Sequence, residues 1–236
     1  MNPAGSMQQL PLGVQLEVSS RFETFRVGHN RAAVEDLLAV IRGPGQVPLW
    51  LCGATGTGKS HLLQATCARV SDRGGAVAYL PLDRCASLGP AVLEGLEQLD
   101  VVLLDDVDTV AGRDDWERAL FRLYNELQER RGRLVVAARE APVATRFTLP
   151  DLASRFAASA VHALKPLPEE EQAEALAARA ASRGLELAPG TLAYLLRHAP
   201  RDFGALCRLL AELDSASLAT RRRITVPLAR DVLERR

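Results

Sequence analysis

Apolar residues recur at helical spacing from Arg31 to Ile41, and the pattern stops at Gly43-Pro44-Gly45. Val47 to Cys52 is a short apolar run that opens into glycines, which predicts a buried strand feeding a loop. A helix is expected from Lys59 to Val70, a strand over Ala76 to Leu80 and a helix over Ala91 to Leu99, entered after Pro90. Val101 to Leu104 is wholly apolar and followed by acids, a third strand. Asp114 or Asp115 can cap a helix running to about Arg130. Leu134 to Ala138 and Ala160 to Leu164 supply the fourth and fifth strands. Beyond Pro166 the strands cease, and Glu169 to Ser182, Gly190 to His198, Phe203 to Ser217 and Pro227 to Glu234 all read as helices.

Strands apolar on both faces and alternating with helices imply a parallel sheet covered on both sides. The fold class is α/β, with a five-stranded parallel sheet in residues 22–165 and a small all-α domain in residues 166–236. Residues 1–21 carry Pro3, Gly5, Pro11 and Gly13 without sustained periodicity, which reads as a short flexible N-terminal arm.

Composition narrows the function. Hydrophobic residues are 47% and charged residues 25% of 236, the usage of a globular protein rather than a disordered or disulfide-stapled one. Lys+Arg and Asp+Glu are 29 each, a balance that argues against a domain holding duplex DNA mainly through its own charge. No apolar run approaches the ~20 residues a membrane helix needs. The N-terminus has no secretory pattern, so a cytoplasmic protein without membrane partners is expected. Cys52, Cys67, Cys85 and Cys207 lack metal-ligand spacing and read as small buried hydrophobes. Only Lys59 and Lys165 are lysines among the 29 basic residues. A compact ammonium kept at Lys59 inside a glycine loop points to a specific task, whereas Lys165 reads as a surface charge near the domain junction.

That loop is Gly53-Ala54-Thr55-Gly56-Thr57-Gly58-Lys59-Ser60, a match to G-x-x-x-x-G-K-[ST] at every position, placed between a predicted strand and a predicted helix. Its glycines let backbone N–H groups turn inward around phosphate oxygens, Lys59 reaches the β- and γ-phosphates, and Ser60 can ligate Mg²⁺. The helix N-terminus adds positive potential. After the third strand, Asp105 suits the Mg²⁺ shell and Asp106 the positioning or deprotonation of an attacking water. A carboxylate there can also be a plain helix cap; the phosphate loop favours the metal reading. Arg221-Arg222-Arg223 is the tightest basic run and reads as a solvated turn, with contact to DNA as the other possibility. His29, His61, His162 and His198 have no metal spacing, and Trp50 and Trp116 read as packing residues.

Together, Gly56 to Leu63, Leu103-Leu104-Asp105-Asp106 and Leu149-Pro150-Asp151-Leu152-Ala153-Ser154-Arg155-Phe156 resemble the AAA+ module of the DnaA family of bacterial replication initiators. The likeness spans Phe22 to Arg236. The family's DNA-reading helix-turn-helix has no counterpart after the lid. A free-standing module with a short arm is similar to the family's Hda branch, regulators that inactivate DnaA, and Tyr79 to Asp83 resembles that branch closely. The resemblance implies an AAA+ fold with a helical lid, and ADP or ATP with Mg²⁺ as cofactors. It implies a nucleotide set comprising Val27, Gly28 and Asn30 at the adenine, Gly53, Thr55, Gly56, Thr57, Gly58, Lys59, Ser60 and His61 at the loop, and Arg201 as the lid's sensor arginine. It also implies that Arg155, expected just past a short helix after Pro150, is an arginine finger serving a neighbouring molecule's γ-phosphate, and that Gln9, Leu10 and Leu12 bind the DNA polymerase III sliding clamp (the β subunit, DnaN). The register of that motif, from Gln8 or Gln9, stays open, and Gln15-Leu16 could be a second copy. Arg139 falls where the family carries a small polar residue or aspartate, which implies weak turnover of the protein's own nucleotide. The implied partners are the clamp, DnaA, DNA indirectly through the loaded clamp, and a second copy of the chain. An ATPase working by its own turnover and a clamp adaptor without effect on DnaA are the alternatives.

Overall fold

The structure is a computed structural model that describes residues 20–43, 47–199, 203–220 and 223–234. Helix α1 spans Arg31–Arg42 and leads to β1, Leu49–Cys52. Helix α2 is Lys59–Asp72, followed by β2, Val77–Pro81, and the single turn α3, Leu82–Cys85. Strand β3 is Val101–Asp105, α4 Asp114–Glu129, β4 Arg133–Ala138, α5 Pro150–Ala157 and β5 Ala160–Ala163. The remaining helices are α6, Glu169–Ser182, α7, Pro189–His198, α8, Phe203–Thr220, and α9, Val226–Glu234.

All strand pairs are parallel and the sheet order is β2-β3-β4-β1-β5. Alternation along each strand divides the core into two layers. Leu49, Leu51, Val101, Leu103, Val135 and Ala137 face α1 and α2. Trp50, Val102, Leu104, Leu134, Val136 and Ala138 face α4 and α5. A third cluster, with Leu176, Leu195, Leu209, Leu210 and Leu213, holds the lid helices together. Both tryptophans are fully buried, and Cys52, Cys67 and Cys85 are buried as well. Among the described residues, no helix is long and apolar enough to cross a membrane.

Four local expectations change. The helix expected over Ala91 to Leu99 is instead two 3₁₀ segments, Pro90–Leu93 and Leu96–Gln98, broken where Gly95 takes a left-handed φ of 83°. Helix α4 begins at Asp114 with Arg113 as the flanking residue. Neither Asp114 nor Asp115 caps it, and Asp114 instead accepts from Arg118 Nε at 2.8 Å, one turn on. The fifth strand is an edge with Ala160, Val161 and Ala163 exposed, so the sheet is left uncovered along β5, whereas no residue of the opposite edge strand β2 is exposed. Arg155 lies within α5, in its last turn, rather than beyond the helix.

Candidate nucleotide-binding site

β1 delivers the chain to the glycine loop, and α2 starts at Lys59 directly after it. Gly58 has φ 96°, and a Cβ there would stand 2.6 Å from Phe25 Cε2, so only glycine lets the loop pass beneath that ring. The Lys59 ammonium is buried and donates to the carbonyls of Gly53 at 2.6 Å and Ala54 at 3.1 Å. Burial pulls its pKa down, opposed by the charges of Asp106, Asp105 and Asp108. Thr57 Oγ1 closes the loop by donating to the Ala54 carbonyl at 2.9 Å.

At the end of β3, Asp105 is 1% exposed. Burial raises its pKa, countered by hydrogen bonds from Ser60 and Tyr79 and by the Lys59 charge. Tyr79 Oη donates to Oδ2 at 2.8 Å, and the Asp106 N–H to Oδ1 at 3.1 Å. A buried carboxylate beside a serine in the first turn of α2 is a donor set that fits a hard divalent cation, which would neutralise the desolvated charge. Asp106 sits in a left-handed conformation, φ 51°, that turns its carboxylate toward the same cleft. Burial, then the charges of Asp105, Asp83 and Asp108, pushes its pKa up to about 6.

These groups line one cleft of about 510 Å³, open between the sheet and the lid. Of the residues expected at the nucleotide, the cleft gathers Gly28, Asn30, Thr55, Gly56, Thr57, Gly58, Lys59, Ser60 and His61, with Asp105 and Asp106. Val27 and Gly53 do not line it, although the Gly53 carbonyl accepts from Lys59. The Asn30 amide is committed to backbone: Nδ2 donates to the Lys165 carbonyl at 3.0 Å and Oδ1 accepts from the Lys165 N–H at 2.8 Å. It fastens the start of α1 to the junction before the lid. Arg201, Gln9, Leu10 and Leu12 lie outside the described residues.

His61 has a specific tautomer by logic of donors. A guanidinium only donates, so the 2.9 Å contact from Arg179 Nη1 makes Nδ1 an acceptor, and the proton on Nε2 goes to the Arg21 carbonyl at 2.9 Å. Its ring lies 5.5 Å from Phe25. One side chain of α2 thus joins the chain at Arg21 and Phe25 to lid helix α6. Arg26 pairs with Glu174 across the same gap. Arg179 and Arg208, both from the lid, line the cleft but were not legible in the sequence, where nothing marks them among so many arginines. Gly204 at the start of α8 meets the loop so closely that a Cβ would stand 2.9 Å from Gly56 Cα.

Arg139, at the end of β4, points into the rim of the cleft and pairs with Asp108, Nε to Oδ2 3.5 Å, while its N–H donates to Oδ1 at 3.2 Å. Arg155 is elsewhere. It is exposed on α5 with its guanidinium carbon 5.8 Å from the Tyr124 ring centroid. It borders a separate cleft of about 290 Å³ with Phe121, Tyr124, Asp151, Ser154 and Ala158.

A parallel sheet in this order, a glycine-lysine-serine loop ahead of a helix, paired acids at the end of β3 and an all-helical lid define an AAA+ P-loop protein. The Hda lid-domain family model matches residues 169–233, and the model of the bacterial DnaA ATPase domain matches residues 90–163. Domain III of the replication initiation protein DnaA from Thermotoga maritima is similar in structure, with TM-score 0.77 and 25% identity over 93% of this chain and 98% of that one. AMPPCP-bound DnaA from Aquifex aeolicus has TM-score 0.67 and 24% identity over 84% and 66% of the two chains. The RuvB Holliday junction branch migration motor of Thermotoga maritima, at 15% identity and TM-score 0.58 over 91% and 71%, shares the fold alone. The two family-model matches and the likeness to DnaA domain III together support a Hda/DnaA-family AAA+ protein.

Proposed function

We propose that this protein is a replication regulator that holds an adenine nucleotide in its own cleft and lends Arg155 to the ATP of a DnaA molecule, hastening that hydrolysis and so inactivating DnaA. The observation carrying this reading is that Arg155 stands exposed outside the cleft that contains Lys59 and Asp105. A permanently charged, planar donor offered away from the chain's own phosphate loop is suited to a triphosphate on another molecule, where it stabilises charge in the transition state. The AMPPCP-bound DnaA neighbour supports an adenine nucleotide, ADP or ATP, as the ligand of the cleft. Ser60 and Asp105 would hold Mg²⁺ there, Lys59 the phosphates, and Phe25 to Asn30 the base side. Asp106 is placed to orient water for the protein's own nucleotide. Arg139 paired to Asp108 puts a cation where an acid or small polar group would assist, and intrinsic turnover is slow.

Gln9, Leu10 and Leu12 of the arm tether the module to the DNA polymerase III sliding clamp. A weak peptide contact on a DNA-loaded clamp then acts by effective concentration and brings Arg155 to DnaA near DNA. The test mixes ATP-loaded DnaA, clamp on DNA and this protein. The reading requires accelerated release of phosphate from DnaA, lost with Arg155→Ala and weakened when residues 1–12 are deleted. An unchanged rate of DnaA hydrolysis with the parent protein overturns it. Capture by the clamp without that acceleration would leave an adaptor, and strong turnover of the protein's own ATP a motor.

A further inference from the structure

Among the described residues, a buried carboxylate away from the nucleotide cleft accepts five hydrogen bonds. Glu117, in the first turn of α4, is 0% exposed. Its Oε1 accepts from the Gly112 N–H at 2.6 Å and the Thr148 N–H at 3.0 Å. Its Oε2 accepts from the Thr148 N–H at 2.9 Å, Thr148 Oγ1 at 3.0 Å and the Leu149 N–H at 2.6 Å. Leu149 is the residue flanking the start of α5 and has no side chain able to cap it; Pro150 follows with no N–H. The carboxylate therefore supplies, from a different helix, the acceptor and the negative charge that the N-terminus of α5 lacks. Burial pushes the carboxyl pKa up, and the hydrogen bonds from Leu149, Thr148 and Gly112 together outweigh it and hold the pKa below its ordinary value.

The far end of α5 is held by packing. Phe156 is fully buried 5.2 Å from Trp50, 5.3 Å from Phe147 and 6.3 Å from Tyr124, ring to ring. Arg155 lies between these anchors, its guanidinium over Tyr124, which is two turns along α4 from Glu117. Two of the groups that set the pose of Arg155, Glu117 and Tyr124, thus come from α4.

We propose that Glu117 is the positioning residue for Arg155: by clamping Thr148 and Leu149 it fixes the start of α5 and so determines where the guanidinium stands when a partner's triphosphate arrives. This rests on the reading of Arg155 given above. A carboxylate is required because all of its partners donate. In Glu117→Gln one oxygen becomes an NH₂ that faces N–H groups, with the side-chain volume unchanged.

The experiment uses the full chain with ATP-loaded DnaA and clamp on DNA, comparing parent, Glu117→Gln, Glu117→Asp, Arg155→Ala and Glu117→Gln/Arg155→Ala. The expected result is a maximal stimulated rate lowered roughly tenfold to a hundredfold by Glu117→Gln, the order expected of a displacement near 1 Å. The concentration giving half the effect and the affinity for ADP change less than about twofold, on the scale of a surface substitution. Glu117→Asp recovers part of the rate, and the double variant equals Arg155→Ala alone. Full stimulation by Glu117→Gln, or losses that multiply in the double variant, overturns the proposal. Amide hydrogen exchange on each variant without DnaA gives a second reading. Faster exchange at Gly112, Thr148, Leu149 and along α5, with α2 unchanged, supports it; unchanged exchange in α5 overturns it. Should Glu117→Gln not fold, Glu117→Asp is judged by the same two measurements. If the parent fails to stimulate DnaA, the functional reading falls and the exchange result alone decides whether Glu117 positions α5.

Discussion

The phosphate loop and the Arg155 face reach their geometry by opposite means. At the loop, the backbone does the shaping: Gly58 takes a conformation closed to other residues, Lys59 bonds the loop's own carbonyls, and α2 begins within the same stretch of sequence. At Arg155, the pose of one side chain depends on residues dispersed along the chain, Trp50, Glu117, Tyr124 and Phe147. Local constraint makes the first site robust and recognisable. Distributed support makes the second adjustable, because a change in α4 moves Arg155 without touching the nucleotide.

Substitution can separate the two regions. Arg155→Ala is expected to have the largest effect, lowering stimulated DnaA hydrolysis by ~10³-fold, the scale of arginines supplied in trans. ADP affinity of the variant, followed by fluorescence titration, should match the parent; a drop in both would show the two sites to be one. Next, Lys59→Ala should weaken nucleotide binding by roughly 100-fold, since a buried cation lost from a charge pair costs ~3 kcal/mol. Its α5 amides should exchange at the parent's rate. Gly58→Ala forces a β-carbon into left-handed backbone and against Phe25, and should lower stability by about 1–2 kcal/mol, read as a lower midpoint in urea. Adding Phe25→Ala should return the part due to the clash and leave the part due to φ.

The smallest effect is in pH dependence. Asp106 holds its proton more tightly when folded, with its pKa raised from 3.8 to about 6. The folded state then binds more protons than the unfolded chain across that window, so its contribution is most favourable at low pH and is lost as pH rises through about 6. Asp106→Asn should melt at a higher temperature than the parent at pH 7 and show a flatter profile from pH 4 to 6. An unaltered slope would place the proton uptake on another carboxylate.

Legibility followed the same division. The runs at β1, β3 and β4 are apolar because those strands are enclosed on both faces, and α6 was read to the residue. Ala91 to Leu99 read as a helix, with Leu93, Leu96 and Leu99 at helical spacing, but Gly95 provides a cheap break. Ala160 to Leu164 read as a buried strand because edge position is a property of the sheet order rather than of the run. Lys59, Ser60, Asp105 and Asp106 were legible, since loop chemistry demands fixed types at fixed spacing. Arg179, Arg208 and Glu117 were not. They lie 120, 149 and 58 positions after Lys59, and nothing in their neighbours marks them.

By itself the amino-acid order determined whatever depends on neighbours along the chain: which segments are strands or helices, where the phosphate loop forms, and which acids end β3. Hydrophobic periodicity and backbone stereochemistry act over a few residues, so a few residues suffice to read them. The tertiary structure decided what depends on elements meeting: which strand lies at the edge, which lid arginines reach the cleft, and how a carboxylate on α4 takes up the backbone donors at the start of α5. Burial and hydrogen bonding between distant segments exist only once the sheet has ordered its strands, and they gave Arg155 its place.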